Sequence, residues 1–98
     1  MAERTRNMAG PVLRGGDVAQ AVIEAAEADN PDKDIIVEDH GAYVRIEADM
    51  GLILRQETIS EFLGRRFEMR ELEVNLSGYS GFIETEEDHV RFFLEKTL

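Results

Sequence analysis

The sequence predicts an α+β fold: a small single domain of two βαββ-like halves, with antiparallel sheets and about three helices packed against them. Three observations predict it. The apolar period changes along the chain, from the i, i+4, i+7, i+8 stripe of Val18, Val22, Ala25 and Ala26 to the strict alternation of Ala42, Val44, Ile46 and Ala48. The order of these runs, strand, helix, strand, strand and then strand, helices, strand, strand, repeats one unit. Finally, 98 residues leave room for one core, burying roughly 60–68% of the unfolded surface.

Taken in order, Met1 to Gly10 has no apolar periodicity, so residues 1–9 are expected to be a flexible tail and 10–98 the domain. Pro11–Arg14 reads as a first strand between Gly10 and Gly15-Gly16. Asp17 with Gln20 three residues later predicts a capping box opening a helix, whose outer face carries Gln20, Glu24 and Glu27. Pro31 pushes Asn30 out of helical geometry, so the helix ends there. Ile35–Val37 is β-branched and turns at Asp39-His40-Gly41 into the alternating strand that starts at Ala42. In that strand Tyr43, Arg45, Glu47 and Asp49 take the solvent side.

Asp49-Met50-Gly51 turns the chain into Leu52–Leu54. Thr58 and Glu61 form a second expected capping box, with Gly64 closing the helix. Glu68 caps another short helix, with Phe67 and Leu72 as its hydrophobic staple. Leu72, Val74 and Leu76 fit a strand as well as a helix; we read a helical turn running into the stretch 72–81, with these three as core anchors. The chain closes with a hairpin, 81–85 and 90–94, around Glu86-Glu87-Asp88, with Val90, Phe92 and Leu94 facing the core.

No local packing rule explains why Asn75, Ser77, Gly78, Tyr79 and Ser80 arrive together, which makes them the candidate binding segment. Tyr79, between Gly78 and Ser80, either folds back over the hairpin or meets a partner.

Composition narrows the chemistry. Eleven Lys and Arg against 21 Asp and Glu give a net charge of −10, which disfavours nucleic acid and favours a basic protein partner. Arg65, Arg66 and Arg70 form the densest basic pocket, read as a solvated rim. Absence of cysteine excludes disulfides and thiol chemistry, and no apolar run suits a signal peptide or membrane span, so a cytoplasmic protein without membrane partners is expected. His40 and His89 lie in or beside turns without a third ligand at a recognised spacing, so neither a metal nor another cofactor is expected. Gly15-Gly16 lacks a phosphate-loop pattern and reads as a tight turn. Phe82, Phe92 and Phe93 read as core rather than as a stacking platform. From the residues alone the chain is a soluble acidic binding module; a small metal enzyme using His40 or His89, or an adaptor or inhibitor occluding a basic site, remain as alternatives.

Several segments in order, GPVLRGGD, IEAAEADNP, IIVEDHGAYVRIEA, LILRQETISEFLGRRF and MRELEVNLSGYSGFI through VRFFLEK, carry a likeness that covers nearly the whole chain from Gly10. The chain resembles the cofactorless effector proteins of bacterial multicomponent diiron monooxygenases, closest to the toluene monooxygenase effector. The resemblance implies a non-catalytic protein, monomeric when free, that docks on the diiron hydroxylase and couples electron delivery and oxygen activation to aromatic hydroxylation. It further implies competition with a Rieske ferredoxin for an overlapping site. The asparagine and small polar residues that face the hydroxylase in that family carry over to Asn75, Ser77, Gly78, Tyr79 and Ser80.

Overall fold

Two antiparallel sheets enclose one core in the computed structural model, which describes residues 7–95. The order is β1 (Met8–Arg14), α1 (Asp17–Asp29), β2 (Ile36–Asp39), β3 (Tyr43–Asp49), β4 (Gly51–Arg55), α2 (Gln56–Leu63), α3 (Met69–Asn75), β5 (Leu76–Ser80), β6 (Phe82–Thr85) and β7 (His89–Phe93). The larger sheet runs β2-β3-β1-β5 and the smaller β4-β7-β6. Strands β1, β2 and β3 take the same relative places as β4, β6 and β7, so the expected repeat of two βαββ units is present. Strand β5 stands outside that repeat, paired to the free side of β1.

Long alternating or helical patterns behave as their periods dictate. Val18, Val22, Ala25 and Ala26 are buried on α1, joined by Ala19 and Ala21, and the helix packs on α2 and β4. Val44, Ile46 and Ala48 face the core from β3, and Val90 and Phe92 from β7, with Leu94 packed at the margin. Gly64 ends α2 in the left-handed region at φ 82°.

Helix starts differ from expectation. Asp17 is the first residue of α1 rather than its cap; Gly16 holds the cap position and its carbonyl accepts from Gln20 N–H at 3.2 Å, so no Asp17–Gln20 box forms. Helix α2 opens at Gln56, two residues before Thr58. The acid that serves its first turn is Asp29 of α1, which accepts from Arg55 N–H at 2.9 Å and from Thr58 Oγ1 at 2.8 Å. A neighbouring helix thus does the work that the local Thr58–Glu61 box was expected to do. At α3 Glu68 takes the cap position as expected, and it forms a capping box with Glu71 that was not expected, its N–H donating to Glu71 at 3.0 Å. Phe67, fully buried, is fastened to α2 on both sides of its peptide, its N–H donating to Ser60 Oγ at 2.9 Å and its carbonyl accepting from Gln56 Nε2 at 2.8 Å.

Other expectations are corrected. Strand β1 begins at Met8, and Ala9 is fully buried opposite Ala48, so two residues assigned to the tail belong to the sheet; residues 1–6 of that tail lie outside the described residues. Val74 is 71% exposed and anchors nothing, because the helix continues through Asn75 and turns Val74 away from the buried side that holds Leu72. Phe82 is 51% exposed and Phe93 half-buried, their rings 5.8 Å apart and tilted by 31° on the outer side of β6 and β7, which leaves Phe92 as the core member of the three. Glu47, expected on the solvent side of β3, is buried.

A candidate docking strand

The helix that carries Met69 and Leu72 into the core delivers the chain directly to the open edge of β1, where Leu76 pairs with Leu13 and packs against the core. Segment 75–80 is therefore not a loop. Asn75 is the last residue of α3, half-buried, and its Nδ2 donates back to Glu71 O, four residues earlier, at 2.9 Å, which fixes the side chain against its own helix. Ser77 is the odd residue of a β-bulge: Leu13 pairs with Leu76 and Val12 with Gly78, which leaves Ser77 without an opposite number and exposed.

Beyond the bulge the strand regains regular pairing, Gly78 with Val12, Tyr79 with Pro11 and Ser80 with Gly10. A methyl group on Gly78 would meet nothing within 4 Å, so open space faces its α-carbon. The Tyr79 ring sits 6.0 Å from that of Phe92 yet stays 46% exposed. One side of it thus rests on the core, and the other is available for contact. Ser80 Oγ donates to the buried Glu47 at 2.9 Å. Exposed Val74 precedes the strand and exposed Phe82 follows it.

All five expected residues fall in one continuous run, four of them on the edge strand and Asn75 at the helix end that leads into it. Sequence reasoning passed over Gly10, Pro11 and Glu47, the residues that receive β5. Only their pairing across the fold reveals them, since Glu47 looks like an ordinary solvent-side residue in its own alternation.

Elsewhere several basic side chains are paired with acids. Arg65 pairs with Glu71 at 3.1 Å and Arg66 with Glu68 at 2.7 Å, which makes the basic pocket a mixed rim. The hydrogen bond from the Glu68 N–H, and then the Arg65 side chain, holds Glu71 below the usual carboxylate range. The hydrogen bond with His89 at 2.7 Å does the same for Asp88, and the bond to Glu68 raises Arg66 above its ordinary value. His40 stacks on Tyr43 at 4.8 Å and lies 3.8 Å from Glu38. Among the described residues no cluster of three or more His, Cys, Asp or Glu side chains could hold a metal, and no helix is long and apolar enough to cross a membrane.

An edge strand that presents a bulge, hydroxyl groups and a half-exposed tyrosine has the features that suit contact with another protein. The chain belongs to the MmoB/DmpM family, whose profile matches residues 7–93, and is an effector of the multicomponent monooxygenase type, a regulatory rather than a catalytic component. It is 39% identical over 87 residues to the effector subunit of the alkene monooxygenase system of Xanthobacter autotrophicus (strain ATCC BAA-1158 / Py2), covering 89% of this chain and 86% of that protein. It is also 39% identical over 83 residues to the stimulatory component DmpM of phenol 2-monooxygenase from Pseudomonas sp. (strain CF600), covering 85% and 88%. Among solved structures, a chain of the phenol hydroxylase–regulatory protein complex superposes with a TM-score of 0.76 at 27% identity, covering 90% of this chain and 99% of that one. The soluble methane monooxygenase regulatory protein B shares the fold, with a TM-score of 0.68 at 24% identity over 97% and 70% of the two chains.

Proposed function

We propose that this chain binds the diiron hydroxylase of a multicomponent monooxygenase through β5 and its flanks, Asn75, Ser77, Gly78, Tyr79 and Ser80, and couples electron delivery and oxygen activation there to hydroxylation. The observation that carries this reading is the place of β5: among the described residues it is the one strand outside the βαββ repeat, it occupies a sheet edge, and it holds the polar residues that the core does not use. Relatives named as an effector and a stimulatory component, and a structural neighbour drawn from a hydroxylase–regulatory protein complex, support the partner.

Mechanistically, the effector shifts the hydroxylase between existing arrangements by binding one of them more tightly, which requires only differential affinity. The net charge of −10 favours encounter with a basic surface and makes association salt-sensitive. We assign the chain to a toluene-type system, as a monomer that alternates with a Rieske ferredoxin at an overlapping site.

Reconstitution tests the reading. With hydroxylase, ferredoxin and reductase held constant, added chain should raise product formed per NADH consumed and then inhibit at excess as it displaces the ferredoxin. Unchanged or lowered coupling at every ratio would refute it. Replacing toluene by phenol or a short alkene in the same assay tests the substrate class.

A further inference from the structure

Glu47 lies on the side of β3 that its alternation assigns to solvent, yet it is 2% exposed. Withdrawing an ionised carboxylate from water is unfavourable unless it is well paired, and apolar replacements of buried ion pairs often leave a fold no less stable. Fold stability is therefore a poor account of an acid at this position. Its Oε2 accepts from Ser80 Oγ at 2.9 Å and lies 3.4 Å from Arg45 Nη1, while Arg45 Nε lies 3.6 Å from Glu38.

The Glu47–Ser80 contact spans an entire strand. Pairing of Ala9 with Ala48 and Val12 with Arg45 sets Gly10 opposite Glu47, and Gly10 pairs with Ser80 on its other side. Strands separated by one neighbour lie about 9–10 Å apart, so two side chains meet across the middle strand only where it offers no side chain of its own. Gly10 supplies that gap; a Cβ there would fall 2.0 Å from Ile46 O and 2.9 Å from Glu47 Cα. Beyond the bulge at Ser77 the pairing of β5 with β1 resumes and runs out at Ser80, where this bond adds a side-chain tie from the end of β5 to β3.

We propose that Glu47 is a positioning residue for the docking strand: through the gap at Gly10 it holds Ser80, and with it the open edge of β5, in the geometry that the hydroxylase binds. The inference rests on the function proposed above, and its test separates the two. Amide hydrogen exchange is read on the free full chain, and hydroxylase binding on the same samples, for Glu47→Leu, Glu47→Gln, Ser80→Ala and the Glu47→Leu/Ser80→Ala pair. Glu47→Leu and Ser80→Ala should each speed exchange at Gly78–Ser80 about tenfold while β4 and β7 exchange as before. Each should weaken hydroxylase binding about tenfold, and the pair should be no weaker than Glu47→Leu alone. Glu47→Gln keeps an acceptor for Ser80 and should restore both readouts, which a purely structural role for the charge would not predict. If Glu47→Leu fails to fold, Ser80→Ala carries the same test. Unchanged exchange at Gly78–Ser80, additive losses in the pair, or Glu47→Gln behaving like Glu47→Leu would overturn the inference. Failure of the wild-type chain to bind hydroxylase would overturn the docking role, while the exchange arm would still decide whether Glu47 holds the strand.

Discussion

Asn30 and Ile53 exchange two hydrogen bonds between the end of α1 and the middle of β4. Asn30 Nδ2 donates to Ile53 O at 2.8 Å and Ile53 N–H donates to Asn30 Oδ1 at 3.0 Å, while the same Nδ2 also donates to Ala26 O. One side chain, 5% exposed, thereby closes its own helix and joins it to the smaller sheet. Asn30→Ala leaves a peptide group of β4 without partners and should lower stability by about 2–3 kcal/mol, seen as a lower urea midpoint with unchanged slope. Asn30→Asp keeps the acceptor, loses the donor and should fall between.

Asp29, one residue earlier, serves the first turn of α2 from outside that helix. Asp29→Ala should cost about 1–2 kcal/mol, in the range of a lost helix cap. Thermal unfolding of Asp29→Ala beside Thr58→Ala checks it: the Asp29 change should be the larger, because it removes both hydrogen bonds.

Two glycines separate fold from function. Gly51 has φ 107° and a Cβ there would fall 1.9 Å from Phe92 O, so Gly51→Ala should destabilise by about 2 kcal/mol or more. Gly78 faces open space, so Gly78→Ala should change stability by less than about 1 kcal/mol, as expected of a surface strand position. If β5 meets the hydroxylase, Gly78→Ala should nevertheless reduce activation, measured as product per NADH at matched concentrations.

Acid should loosen α3 first at its start. Glu71 is held below the usual carboxylate range by the Glu68 N–H and Arg65. A carboxylate depressed in the folded state contributes stability that is present above its unfolded value and lost as pH falls through its folded value. That contribution is complete at neutral pH and begins to be lost as pH falls through the ordinary carboxylate value of about 4.3, continuing down through the folded value. The urea midpoint of Glu71→Gln should be lower than that of the wild type at pH 6, and the difference should shrink as pH falls below the ordinary carboxylate range.

Much of the fold was legible because its signals are local. The stripe of α1, the alternation of β3 and the glycine after α2 need no knowledge of the rest of the chain. Helix starts were less legible, since the acid beside α2 comes from α1 and the cap of α1 is a glycine. The candidate segment was legible as an anomaly but not as a strand. Leu72, Val74 and Leu76 fit either period, and the choice was made by β1, whose open edge lies far away in sequence and receives the chain from Leu76 onward. The contact of Glu47 with Ser80 was illegible for the same reason, because it joins residues 33 apart in sequence across the glycine of β1.

The most direct measurement is the affinity of Ser77→Lys for the hydroxylase, by titration alongside the wild type. Ser77 is exposed at the bulge and pairs with no residue of β1, so the substitution should leave the thermal midpoint unchanged. A long charged side chain there stands in the way of a partner docking on the β5 edge, and affinity should fall at least about tenfold, with coupling restored only at high effector concentration. Wild-type affinity and coupling in a correctly folded Ser77→Lys would contradict the assignment of β5 as the docking strand.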